Sequence, residues 1–113
     1  MTLEEYQKRA MTTCMASSEN FSYMFLNLVG EVGEFASKVA KAIRKNQLSV
    51  VYNEIVGTTD TEELQKEAGD ILWQLSGLCT VMGWKLEDIA QQNLDKLASR
   101  QQRNVIDGSG DNR

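Results

Sequence analysis

Histidine is absent from this 113-residue chain, and so is proline. Without histidine there is no Ser-His-Asp or Cys-His nucleophilic site, no HExxH zinc site and no Glu-x-x-His di-iron motif. No P-loop signature occurs either. Chemistry has to run on carboxylates, amines, guanidinium groups and hydroxyls. With no proline and no long alternating apolar/polar run, helices should dominate. Cysteine is scarce: Cys14 and Cys79 lie far apart, form no metal-type spacing and sit among apolar neighbours, as buried thiols do. Basic charge is also short. A net charge of −4 and a pI near 4.8 argue against a nucleic-acid partner, which needs a basic surface. An anionic small molecule stays open, provided metal ions or a local basic cluster supply positive charge. No N-terminal signal pattern is visible, and the most apolar window, Ile71 to Trp84, is too short and too polar to cross a membrane. A cytoplasmic protein with no membrane partner is the expectation.

What is present suits one globular domain, with 42% hydrophobic and 25% charged residues. Thr2 followed by Glu5 makes a capping-box start, and Leu3, Tyr6, Ala10 and Cys14 mark one face of a first helix ending near Ala16. After the polar break Ser17-Ser18-Glu19-Asn20, a second helix should run from about Phe21 to Lys45. Its apolar stripe is Phe25, Leu28, Val32, Phe35, Val39 and Ile43; its polar stripe is Asn27, Glu31, Glu34, Lys38, Lys41 and Lys45. Asn46 to Thr59 breaks the pattern, with Ser49-Val50-Val51-Tyr52 as a short strand or a loosely wound extension. Asp60 with Glu63 restarts a helix whose inner face is Leu64, Ala68, Ile71, Leu75, Leu78 and Met82, stopped by Gly83. A fourth helix begins near Leu86, with Leu86, Ala90, Leu94 and Leu97 inward. Residues 1–104 read as the domain, and 105–113 as a flexible, glycine-containing tail.

Two features carry chemistry. Glu31 and Glu34, within Gly30-Glu31-Val32-Gly33-Glu34, lie three residues apart and so on one helical face; Glu67 and Asp70 repeat the spacing on the next long helix. Four such oxygen donors suit a hard cation. Glu31 and Glu34 alone read first as a solvated face laced by pairing of Glu34 with Lys38. Glu67, about 70° from the centre of its apolar stripe, is less easily dismissed, because a carboxylate at a core boundary must be paired or metal-bound. The second feature is Asn93, Lys96, Arg100 and Arg103 along one face of the fourth helix. These cations would hold phosphates, or else simply form a basic face at a helix C-terminus. The glycines Gly30 and Gly33 would allow another helix or a phosphate to come close.

Gly30-Glu31-Val32-Gly33-Glu34-Phe35, Glu67-Ala68-Gly69-Asp70-Ile71-Leu72-Trp73 and Asn93-Leu94-Asp95-Lys96-Leu97 with Arg100 resemble, in order, the GE-x-GE, E-x-x-D and N-x-x-K-L-x-x-R segments of the all-α nucleoside triphosphate pyrophosphatases, in their MazG-like branch. The resemblance spans about Tyr23 to Arg103, and the Asn46 to Thr59 stretch is long for the family. It implies an all-α, four-helix core assembling as a homodimer or homotetramer. It implies hydrolysis of a (deoxy)nucleoside triphosphate to the monophosphate and pyrophosphate with Mg²⁺, for which Mn²⁺ can substitute. Glu31, Glu34, Glu67 and Asp70 would hold the metal, with Glu34 and Glu67 closest to the chemistry and Glu34 a candidate to orient the attacking water. Asn93, Lys96, Arg100 and Arg103 would take the nucleotide's phosphates. A phosphoribosyl-ATP or dUTP/dCTP-type pyrophosphatase shares these motifs, and a catalytically silent helical oligomerisation module stands as the non-enzymatic alternative. Tyr23, Trp73 and Trp84 are candidates to stack on a base, though aromatics at such spacing more often pack in a core.

Overall fold

A computed structural model describes residues 1–49, 51–52, 54–55 and 61–113. Four α-helices make up most of it: α1 (Leu3–Ala10), α2 (Phe21–Arg44), α3 (Thr61–Val81) and α4 (Leu86–Gln102). Between α2 and α3, β1 (Leu48–Ser49) and β2 (Glu54–Ile55) form a minimal antiparallel ladder, with Leu48 opposite Ile55 and Ser49 opposite Glu54. The capping pair expected of Asp60 and Glu63 lies outside the described residues, as do Val50 and Gly57.

The helix ends follow local chemistry. Thr2 caps α1 by accepting from Glu5 N at 3.1 Å, and the Glu5 carboxylate accepts from Thr2 N in return. The first helix is shorter than its apolar pattern suggests. The Thr12 and Thr13 hydroxyls donate to the carbonyls of Arg9 and Ala10 at 2.6 and 2.7 Å, competing with the continuing ladder. The chain tightens into 3₁₀ turns at Met11–Thr13 and Ala16–Ser18. Asn20 Oδ1 then caps α2 through Tyr23 N at 2.8 Å. α2, α3 and α4 all end in the same way. A residue with φ between 56° and 71° (Asn46, Gly83, Asn104) sits just past the helix, and the next amide reaches back to Ala42, Cys79 or Arg100. This is the Schellman closure, for which glycine or asparagine is suited.

α2 and α3 form the main packed pair, and α1 lies across α3 and the start of α4. The apolar stripe read from the sequence meets α3 only in part: its Leu28, Phe35 and Val39 are half-buried, and its other half is not. Phe25, Val32 and Ile43 are exposed, while Met24 and Ala42 are buried and Asn27, Glu31 and Phe35 are half-buried. α3 answers with Glu67, Gln74, Ser76, Gly77 and Cys79, all buried, whereas Ala68 and Met82 are exposed. The seam is therefore rich in polar side chains that bond across it. Asn27 donates to Gln74 Oε1 at 2.8 Å, and Gln74 Nε2 reaches Met24. Two helices can turn polar faces to each other when those groups satisfy one another.

Gly77 sets how closely the pair packs, since a Cβ there would fall 2.5 Å from Met24 Sδ. Gly30 and Gly33 have no such role: Gly33 has nothing within 4 Å and Gly30 only an ordinary contact with Asn27. Cys79 is buried as expected, and Cys14 is half-buried.

Candidate metal and nucleotide site

The α2–α3 seam brings the two acidic motifs together. One carboxylate oxygen from each of Glu31, Glu67 and Asp70 lies within 4.8 Å of the others. Glu34, exposed one turn along α2, comes within hydrogen-bonding reach of Glu31. Burial first, then the charges of Glu34, Asp70 and Glu67, push the Glu31 carboxyl above its ordinary value of 4.5. Glu67 is 7% exposed, the burial its position on α3 suggested, while Asp70 is exposed.

Positive charge here is sparse. Lys38 does not pair with Glu34 along its own helix; it crosses the seam to Glu67 at 2.5 Å and Glu63 at 3.4 Å. The bond to Glu67 is the main reason its ammonium holds its proton more tightly than usual. One ammonium set against four carboxylates leaves the cluster strongly anionic. Two of its oxygens, Glu31 Oε2 and Glu67 Oε2, are buried with no hydrogen-bond partner. Orphaned carboxylate oxygens are costly, and a divalent cation would satisfy both. Hard oxygen donors of this kind, few in number and partly open to solvent, fit Mg²⁺ or Mn²⁺.

α1 borders this cluster. The Tyr6 phenol is raised by burial and then by the charge of Asp70, which puts a hydroxyl donor beside the acidic group. In the sequence Tyr6 looked like a core residue only. Gln7 was not legible at all. Its amide donates to Thr80 Oγ1 and Trp84 O, both at 2.9 Å, and its Oε1 accepts from Leu86 N at 2.8 Å. It thereby caps α4, whose own N-cap residue, Lys85, makes no side-chain cap. The only available signal was the missing Ser, Thr, Asp or Asn before Leu86.

The basic stripe is elsewhere. α4 packs on α1 and near its start on α3, with no comparable packing on α2 among the described residues. Lys96 and Arg100 instead meet the tail. Asp111 Oδ1 accepts from Lys96 Nζ at 3.2 Å and from Arg100 Nη2 at 3.0 Å, and Arg103 donates to the Arg113 carbonyl at 2.8 Å. Arg100 is 4% exposed, and Asn93 is exposed two turns before it. Of the aromatic candidates, Trp73 is committed to structure, donating to Ala10 O and Thr13 Oγ1. Tyr23 and Trp84 are exposed.

A family model described as the MazG nucleotide pyrophosphohydrolase domain matches residues 19–105. Gene 37 protein of Mycobacterium phage L5 is 40% identical over 97 residues, which is 86% of this chain and 80% of that protein. No solved structure matches.

Proposed function

The chain belongs to the MazG nucleotide pyrophosphohydrolase family, and we propose that it hydrolyses a (deoxy)nucleoside triphosphate to the monophosphate and pyrophosphate, trimming a nucleotide pool. The observation that carries this reading is the cluster of Glu31, Glu67 and Asp70, with Glu34 beside Glu31, two buried oxygens unpartnered and a single lysine against it. Glu31, Glu34, Glu67 and Asp70 would hold Mg²⁺, or Mn²⁺ in its place. Such an ion supplies Lewis acidity to the phosphoryl oxygens and makes water a better nucleophile near neutral pH, which a chain without histidine needs. Glu34, exposed and within hydrogen-bonding reach of Glu31, would orient the water. Lys96, Arg100 and Arg103 would neutralise the triphosphate, and the Asn93 amide would hydrogen-bond to it.

The chain acts as a subunit of a homo-oligomer in this reading. Its radius of gyration is 17.3 Å, against about 13 Å for a compact domain of this length. Its accessible surface is 8268 Å², against about 6,200 Å² for a monomer of this mass. The excess of about 2,000 Å² per chain, or about 4,000 Å² for a pair, falls in the range that obligate interfaces bury in total. The outer face of α2 carries Phe21, Phe25, Val29 and Val32, each 47–60% exposed, an apolar stripe suited to a second copy. Assembly would also bring a basic stripe from one copy to the acidic cluster of another, which a single chain does not do.

Glu67→Gln keeps the shape of the site and removes a charge. Pyrophosphate release with Mg²⁺ should fall by about 100-fold or more, with canonical and damaged (d)NTPs tried in parallel. Equal rates in wild type and variant, or none in either with every nucleotide, would remove the enzymatic reading and leave the helical module.

A further inference from the structure

The basic stripe of α4 already holds an anion, and it comes from the chain itself. After Asn104 turns the backbone (φ 56°), the tail doubles back along α4. Asp111 then sets its carboxylate against Lys96 and Arg100, and its backbone carbonyl also accepts from Arg100 Nη2 at 3.0 Å. Arg113 stiffens this return by donating to the carbonyls of Val105, Ile106 and Gly110 at 3.0, 3.3 and 2.6 Å. Gly108 lets the bend close tightly, since a Cβ there would meet Arg113 Cδ at 2.5 Å and Val105 O at 3.1 Å.

Two features mark this contact as a placeholder. The charges do not balance: two cations face one carboxylate. The donors do not balance either, because Arg100 Nε is buried with no partner while the side chain around it is 5% exposed. A buried guanidinium with an unused donor calls for an acceptor richer than a single carboxylate. Asp111, by contrast, is 82% exposed on its side chain, and exposed ion pairs are weak. A polyphosphate brings more negative charge and more oxygens to the same donors.

We propose that residues 105–113 are a strap whose Asp111 carboxylate occupies the polyphosphate position on Lys96 and Arg100, so that an incoming polyphosphate must displace the tail before it binds. The strap rests on the reading of α4 as the phosphate-binding helix. It makes the chain its own weak competitor, so that binding a triphosphate releases a segment which an empty protein keeps closed.

The test uses the full-length protein and tripolyphosphate without divalent metal, so that no catalytic step enters. Titration calorimetry compares wild type, Asp111→Asn and the control Asp107→Asn, which alters an acid in the same tail with no bond to these cations. Asp111→Asn should bind tripolyphosphate about two- to fivefold more tightly, the range of an exposed ion pair, while Asp107→Asn matches wild type. Amide exchange in residues 105–113 of the wild type should speed up when tripolyphosphate is added, with the helices unaffected. Equal affinity of Asp111→Asn and wild type, with unchanged tail exchange, overturns the strap but not the phosphate reading. Weaker binding by Asp111→Asn makes the aspartate a clamp that positions Arg100 and overturns displacement. No binding by any of the three overturns the strap together with the assignment of phosphates to α4.

Discussion

The α2–α3 seam and the α4–tail end are both built around ionic groups, yet they are left in opposite conditions. At the seam, the carboxylates of Glu31, Glu67 and Asp70 converge with one lysine against them and Glu34 beside Glu31, and two buried oxygens go unpartnered. At the other end, two cations share a carboxylate delivered by the chain's own tail. Charge concentrated between two helices is held there by packing and is left largely unanswered by the chain. Charge at the end of a helix can be answered by a neighbouring segment of the chain, and is. The first arrangement has an excess of negative charge; the second carries its own anion.

The largest expected effect that would break this contrast is on the metal. Mn²⁺ or Mg²⁺ at a hundredfold excess over its Kd should stabilise the wild type by about 2.7 kcal/mol, a rise in Tm of about 10 °C for a domain this size. Glu31→Gln and Asp70→Asn should lose most of that rise. A Tm that divalent cations leave unmoved would mean the cluster is not a cation site.

Next in size is a pair of glycines. Gly77→Ala should destabilise by about 1–3 kcal/mol, because overpacking against Met24 forces the seam apart. Gly33→Ala, at an open helical position, should stabilise the isolated chain by about 0.5–1 kcal/mol. Urea denaturation of both variants measures this. If Gly33→Ala destabilises, something covers that face, and a shift in sedimentation at the same time would identify it as a second copy.

A pH profile sharpens the comparison further. The Glu31 carboxyl is raised in the folded state, so the folded chain binds its proton more readily than the unfolded one does. The resulting stabilisation is fully present below about 4.5 and is lost as pH rises through the folded value. In EDTA, Tm should therefore gain from Glu31 as pH falls through its folded value toward about 4.5, and Glu31→Gln should lack that gain. Saturating Mn²⁺ should suppress it in the wild type, since the ion then stabilises the charged form. The smallest expected effect is on the basic end: Lys96→Ala should weaken nucleotide binding severalfold, with Tm within a few degrees of wild type. A collapse of Tm would make that lysine structural.

The acidic motifs were legible because their i, i+3 spacing on two long helices leaves few other arrangements. The direction in which α2 faces was not. Its apolar stripe looked like the inner side throughout, but in the chain alone Leu28, Phe35 and Val39 are half-buried while Phe25, Val32 and Ile43 lie outward, and Asn27 and Glu31 of the polar stripe turn partly in. Helical periodicity finds the stripes but does not say which neighbour covers which. The pairing of Lys38 with Glu67 and not Glu34 was hidden for the same reason, since it depends on where α3 lies. Gln7 capping α4 and Asp111 meeting Arg100 involve residues with no pattern of their own. The end of α1 was missed because two threonine hydroxyls compete locally with the helix ladder.

The sequence by itself determined the long helices, the Thr2 cap of α1, the Gly83 stop of α3, the four carboxylates and the stripe of Asn93, Lys96, Arg100 and Arg103, since these depend on neighbours a few positions away. The MazG family membership follows from the same residues. Only the tertiary structure decided that the carboxylates share one seam, that two of their oxygens are left without partners, that the basic stripe is met by the tail and that the broad apolar face of α2 remains open. Those outcomes depend on how helices far apart in the chain are turned toward each other. That rotation is set by the packing of Gly77 on Met24 and the bond from Asn27 to Gln74, contacts spanning about fifty residues that no local spacing encodes.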